Sequence, residues 1–138
     1  MSGDSLFSEL PVTVGRYTLV ERFCQCVHEL FFADGALRPV VKVVPFRDDR
    51  ARALFRDEVR AHSRVDSAHV VPLLDWQELD GIGLVVTPFV ESVPLHALMA
   101  RAVALCRPDA LVIPRGIALG IVRQVALGLS QVHGARDL

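Results

Sequence analysis

The chain has 138 residues, of which 51% are apolar, with a formal net charge of −1. That is material for one domain with its own core, and the near-neutral balance excludes an electrostatic footprint for nucleic acid or an anionic membrane. The three cysteines, Cys24, Cys26 and Cys106, form an odd set without framework spacing, which excludes a disulfide-stapled secreted domain.

From the N-terminus, residues 1–15 read as a loose lead-in. Met1 to Leu10 carries Asp4 and Glu9 and lacks the basic start and apolar run of a secretory leader. Tyr17 to Phe23 and Leu30 to Ala33 read as strands, rich in β-branched and aromatic residues, with a turn at Asp34-Gly35. Pro39 to Val44 is a third strand, whose valines predict burial on both faces around Lys42. After Pro45, Asp48 or Asp49 can cap a helix over about Arg50 to Val65. Its apolar stripe is Ala51, Leu54, Phe55, Val59 and His62, and Glu58 falls on the same stripe.

Val70 to Leu79 and Ile82 to Val86 follow as strands joined by a two-residue hairpin at Asp80-Gly81. Pro94 starts a short helix to about Val103, Arg107 to Ile113 is a loop, and Pro114 opens a long apolar helix to about His133. Its apolar run, Ile117 to Val132, is broken by Arg123, Gln124 and Gln131 and falls short of the about 20 apolar residues that span a bilayer. A cytoplasmic protein with no membrane segment is expected. The order β-β-β-α-β-β-α-α predicts an α+β fold: a five-stranded, mostly antiparallel sheet with one packed helix over residues 16–90, then two helices within 91–138.

Two residues stand out chemically. Of fifteen basic residues, Lys42 alone is lysine. A position that keeps lysine among so many arginines needs a compact ammonium on a slim stem rather than a planar fork. A carboxylate on a helix stripe that packs on a sheet needs a cationic partner, and the strand before the helix offers Lys42 to Glu58. Cys24, Cys26 and His28 invite a metal reading, but a structural zinc takes four ligands and Cys106 is remote, so no metal site is expected. His62 and His69 read as packing histidines.

At these residues the chain resembles the protein kinase family, in particular the bacterial relatives of eukaryotic Ser/Thr kinases. Residues 15–23 look like the family's first strand, 38–44 like the strand with the phosphate-anchoring lysine, and 54–76 like the helix with its glutamate plus the next strand. Residues 83–92 look like the fifth strand and hinge, and 118–133 like the helix before the catalytic loop. The resemblance implies ATP as ligand, Lys42 on its α- and β-phosphates, and Glu58 holding Lys42. It implies Thr87 as gatekeeper and Pro88, Phe89 and Val90 as the hinge that meets adenine.

Departures from the pattern carry as much. Where the family has G-x-G-x-x-G, this chain has Cys24 to Glu29, with no glycine. Cys24, Cys26 and Glu29 are thus the residues expected over the phosphates, with the Glu29 carboxylate repelling them. Arg136-Asp137-Leu138 is a partial match to the catalytic loop that lacks its histidine and asparagine, and reads as a helix-end turn. The metal-binding Asp-Phe-Gly is absent, so no Mg²⁺ ligands are expected here. The expectation is a kinase-like domain truncated before its catalytic loop and inactive alone. The alternative is a pseudokinase-like module that binds a protein partner and no nucleotide.

Overall fold

The computed structural model describes residues 6–25, 28–105 and 113–136. Along them run β1 (Val12–Val14), β2 (Tyr17–Gln25), β3 (Glu29–Ala33), β4 (Val40–Pro45), α1 (Asp49–His62), β5 (Asp75–Leu79), β6 (Ile82–Thr87), α2 (Leu95–Leu105) and α3 (Arg115–Arg136). The strands form one sheet in the order β1-β2-β3-β4-β6-β5, antiparallel at every pairing. The fold is α+β, with six strands where five were expected.

The sixth strand is β1, inside the stretch read as a lead-in. Val12 pairs Leu19 and Val14 pairs Tyr17 across a tight turn, where Gly15 adopts φ 57°. Three residues are too few to show an alternating pattern in sequence, so the strand emerges only from its pairing. The expected strand over Val70 to Leu79 contracts to Asp75–Leu79. Its first half is a loop in which the Val70 N–H bonds the Ser67 carbonyl, and Pro72 can donate nothing to a ladder.

Side chains alternate across a strand, so the sheet has two faces with different covers. One face carries Leu19, Phe31, Val41, Val43, Leu84 and Val86, all 1% exposed or less. Phe7 and Leu10 from the N-terminal segment pack against it, together with Val12 of β1. The other face carries Val44 and Val85 and is covered by α1 through Phe55 and Val59. Lys42 pairs Val85 in the ladder and therefore shares the α1 face.

Asp48 caps α1, its carboxylate accepting the Ala51 N–H at 2.7 Å. Phe55 stacks edge-on with Phe46 and Trp76, and a Cβ on Gly83 would approach its ring to 2.5 Å, so glycine there lets the ring lie on β6. Leu54, expected in the stripe, is 60% exposed, while Ala61 is buried at 6%. The stripe centres on Phe55 and Val59, and Leu54 lies beyond its edge. The helix ends at His62, where Ser63 caps it. Gly128 of α3 lies against the loop after α1, since a Cβ there would come 3.1 Å from the His69 carbonyl. The loop expected over Arg107 to Ile113 lies outside the described residues except for Ile113, as do Cys106 and Asp137-Leu138.

Candidate functional site

Lys42 lies in the middle of β4 and reaches across to α1. Its Nζ donates to Glu58 Oε1 at 2.8 Å. The side chains are 25% and 51% exposed. The pair forms as expected, but the reason differs: Glu58 is half in water, so burial alone does not force it to find a cation. An ion pair this exposed contributes at most about 1 kcal/mol to stability.

Three contacts fix α1 so that Glu58 meets Lys42. Phe55 and Val59 anchor it on the sheet. Arg56 grips Glu78 of β5 with two 2.6 Å bonds, from Nε and a terminal nitrogen, and Arg52 approaches the same carboxylate at 3.5 Å. The bonds from Arg56 hold the Glu78 carboxyl below the usual carboxylate range. At the C-terminal end, His62 Nε2 bonds the Val71 carbonyl at 2.7 Å.

The α1 face of the sheet continues from Lys42 toward the segment after β6. Lys42 pairs Leu30 and Val85, and Val40 pairs Phe32 and Thr87, so all six residues share one face. Thr87 closes β6, and Pro88 ends the strand as a residue without an amide donor. Phe89 then packs edge-on against Phe32 and Phe23, with ring centres 5.2 and 5.8 Å away. Arg38 lies over the Phe32 ring at 4.3 Å. The aromatic cluster ties the segment after β6 to β2 and β3. Val90, half exposed, borders a hollow of about 530 Å³ between the 67–72 loop and α3.

The residues expected over the phosphates divide. Glu29 pairs Val43 and so lies on the face opposite Lys42. Its carboxylate accepts the Leu6 N–H at 2.9 Å and lies 3.9 Å from Arg22. The repulsion expected between Glu29 and phosphate therefore has no geometric basis: the carboxylate fastens the N-terminal segment to the back of the sheet. Arg22 reinforces this by donating to the Phe7 carbonyl at 2.8 Å. Cys24 lies in β2 opposite Leu30, and Cys26 lies outside the described residues.

Among the described residues no three His, Cys, Asp or Glu side chains group as a metal site. His28 lies in the turn between β2 and β3, one residue before Glu29. Burial first, and then the Lys42 charge, push its pKa below the ordinary histidine value, against an opposing pull from Glu58.

No protein-family profile matches the chain, and no curated protein matches it. Among solved structures it is similar to the PknI kinase domain of Mycobacterium tuberculosis, at 24% identity and a TM-score of 0.71, over 90% of this chain and 50% of that one. A cysteine-to-alanine variant of that domain gives a TM-score of 0.73 with 51% of its length covered. The chain has a protein-kinase-like fold. The kinase-like small lobe is the sheet with α1, and α2 and α3 begin the large lobe. The chain spans about half the length of the kinase domains it matches. No described helix is long and apolar enough to cross a membrane.

Proposed function

We propose that this chain is the nucleotide-binding small lobe of a Ser/Thr-kinase-like protein and that it grips the phosphates of ATP through Lys42, held by Glu58. The observation that carries this reading is the 2.8 Å Lys42–Glu58 contact at the centre of a kinase-like sheet. A compact ammonium that already has a carboxylate partner is pre-aimed, so less ordering is needed when phosphate arrives. Thr87 and the segment Pro88 to Val90 would border the adenine, on the face that Lys42 shares. Placing Glu29 on the back of the sheet removes the charge objection to phosphate. In this reading the chain supplies the phosphate-gripping part of the site, and it spans about half the length of the kinase domains it matches. It acts in the cytoplasm, and any Mg²⁺ arrives with the nucleotide.

Thermal melting with Mg·ATP checks the reading. Stabilisation follows the logarithm of ligand concentration over Kd, about 2.7 kcal/mol at a hundredfold excess. Melting should rise with millimolar Mg·ATP and fail to rise in Lys42→Met. An unshifted melt in the unaltered chain sinks the proposal.

A second reading, a pseudokinase-like scaffold that binds a protein, draws on one observation. Helix α3 leaves Leu119, Val122 and Val125 between 53% and 64% exposed along one stripe. An apolar stripe of that kind suits a protein surface.

A further inference from the structure

Arg38 keeps a backbone conformation that a residue with a side chain seldom accepts. Its φ is 42°, in the left-handed region where Cβ crowds the following carbonyl. It closes the tight turn between β3 and β4, its N–H bonded to the Gly35 carbonyl at 3.0 Å. Glycine takes such a φ without that crowding, yet the position carries an arginine. Backbone strain persists only where the surroundings hold it, and it gathers where a site has to be kept in place.

What holds Arg38 is aromatic. Its guanidinium lies 4.3 Å from the centre of the Phe32 ring and donates to Glu21 at 3.1 Å. A planar cation over a ring face is attracted by the ring's charge distribution, and the carboxylate steers it there. Phe32 in turn meets Phe23 at 5.0 Å and Phe89 at 5.2 Å, while Phe23 meets Phe89 at 5.8 Å. The three rings form a closed triangle that joins β2, β3 and the segment after β6. Phe23 and Phe89 stay partly in water, so the triangle is not simply core. Phe32 stands level with Val40 and Thr87, at the end of the face that Lys42 shares. Past Thr87 the ladder stops, and Pro88 has no N–H to extend it. Phe89 is then the side chain that anchors the 88–90 backbone to the sheet.

We propose that Arg38 is a positioning residue for the base of the nucleotide: through Phe32 it holds Phe89, so that the backbone of Pro88 to Val90 stands ready to meet a flat, hydrogen-bonding ring. The inference rests on the reading of the front face as a nucleotide site. It deepens that reading by giving base and phosphates separate supports, Arg38 with the three rings for one and Lys42 with Glu58 for the other. A segment that spends only a fraction of its time in the binding conformation binds more weakly by that fraction. Freeing Phe32 lowers the fraction for the base and leaves the Lys42–Glu58 pair as it is.

The test measures binding of Mg·ATP and of inorganic tripolyphosphate by calorimetry to the unaltered chain, Arg38→Gly and Arg38→Lys. Arg38→Gly removes the guanidinium and suits the backbone of the turn, whereas Arg38→Lys keeps a cation for the ring. NMR of the three proteins without ligand follows the Phe89 and Val90 amides. The expected result is Mg·ATP bound about tenfold more weakly by Arg38→Gly, most of the loss recovered in Arg38→Lys, and tripolyphosphate bound equally by all three. The Phe89 and Val90 signals should move in Arg38→Gly and stay near their places in Arg38→Lys.

Mg·ATP bound equally by the unaltered chain and Arg38→Gly overturns the role of Arg38 and leaves the nucleotide reading intact. Equal weakening of both probes overturns it too, since a merely structural residue would act on the whole face. An unaltered chain that binds tripolyphosphate as tightly as Mg·ATP gains nothing from the base, which overturns the proposal and spares the phosphate grip. No binding of either probe by the unaltered chain overturns both readings.

Discussion

At the scale of single residues, the Lys42–Glu58 pair is arranged for chemistry more than for stability. Glu58 is half exposed and Lys42 a quarter exposed, so Lys42→Met should lower the unfolding free energy by no more than about 1 kcal/mol, a loss that urea titration can bound. A loss several times larger would show the pair to be a structural strut. Tyr17 is the opposite case. Its hydroxyl donates to Asp75 at 2.6 Å, and burial, followed by that bond, pushes its pKa from 10.0 up to about 12. A group whose folded pKa is raised contributes stability that is full below the unfolded value and lost as pH climbs to the folded one. Stability should therefore fall between pH 10 and about 12, and Tyr17→Phe should be less stable at pH 7 by about 1 kcal/mol and flatter across that window. Thermal melts from pH 7 to 12 check both. Asp75 is shifted the other way: burial works to raise its pKa, but bonds from Tyr17 and the Trp76 amide, with the Arg16 charge, outweigh it. The sole lysine and a stripe glutamate made the pair legible in sequence. The side taken by Glu29 was not, because a shift of one residue at the start of β3 exchanges the two faces.

Among the elements, α1 decides whether the site exists. Its capping aspartate, its apolar stripe and its place after a valine-rich strand were all readable from local pattern. Its depth on the sheet was not, because that depends on Gly83, which is remote in sequence and matters only where the Phe55 ring lands. Phe55→Ala should cost about 3–5 kcal/mol, as expected for an aromatic side chain 2% exposed. Asp48→Ala should cost about 1 kcal/mol through the lost cap. Gly83→Ala should displace Phe55 and with it Glu58. Urea unfolding midpoints rank the three, and an Asp48→Ala loss as large as that of Phe55→Ala would contradict the account of how α1 is held. Strand β1 was hidden for a related reason: three residues become a strand only through the partner at Leu19 and Tyr17.

Across the whole molecule, the two faces of the sheet divide the work. The back is sealed by the N-terminal segment, with Phe7 edge-on to Phe31 at 5.7 Å and Glu29 fastening Leu6. The front holds Lys42, Glu58 and Thr87. The order of elements alone conveys an antiparallel sheet with one packed helix, since hairpin turns and one intervening helix leave few sheets to build. The covering of the back could not be read, because Phe7 and Leu10 carry no periodic signal. Helix α3 keeps an apolar stripe in water, so replacing Leu119 and Val122 by serine should reduce binding of an apolar dye without lowering the melting temperature. Unchanged dye fluorescence would place the accessible apolar surface elsewhere. The central claim is that the front face takes a nucleotide at Lys42. Heteronuclear NMR of the labelled chain titrated with Mg·ATP tests it most directly. The account predicts saturable shifts at Lys42, Glu58 and Thr87 to Val90 that disappear in Lys42→Met, and a spectrum unchanged at millimolar Mg·ATP, or shifted only on the back of the sheet, would contradict it.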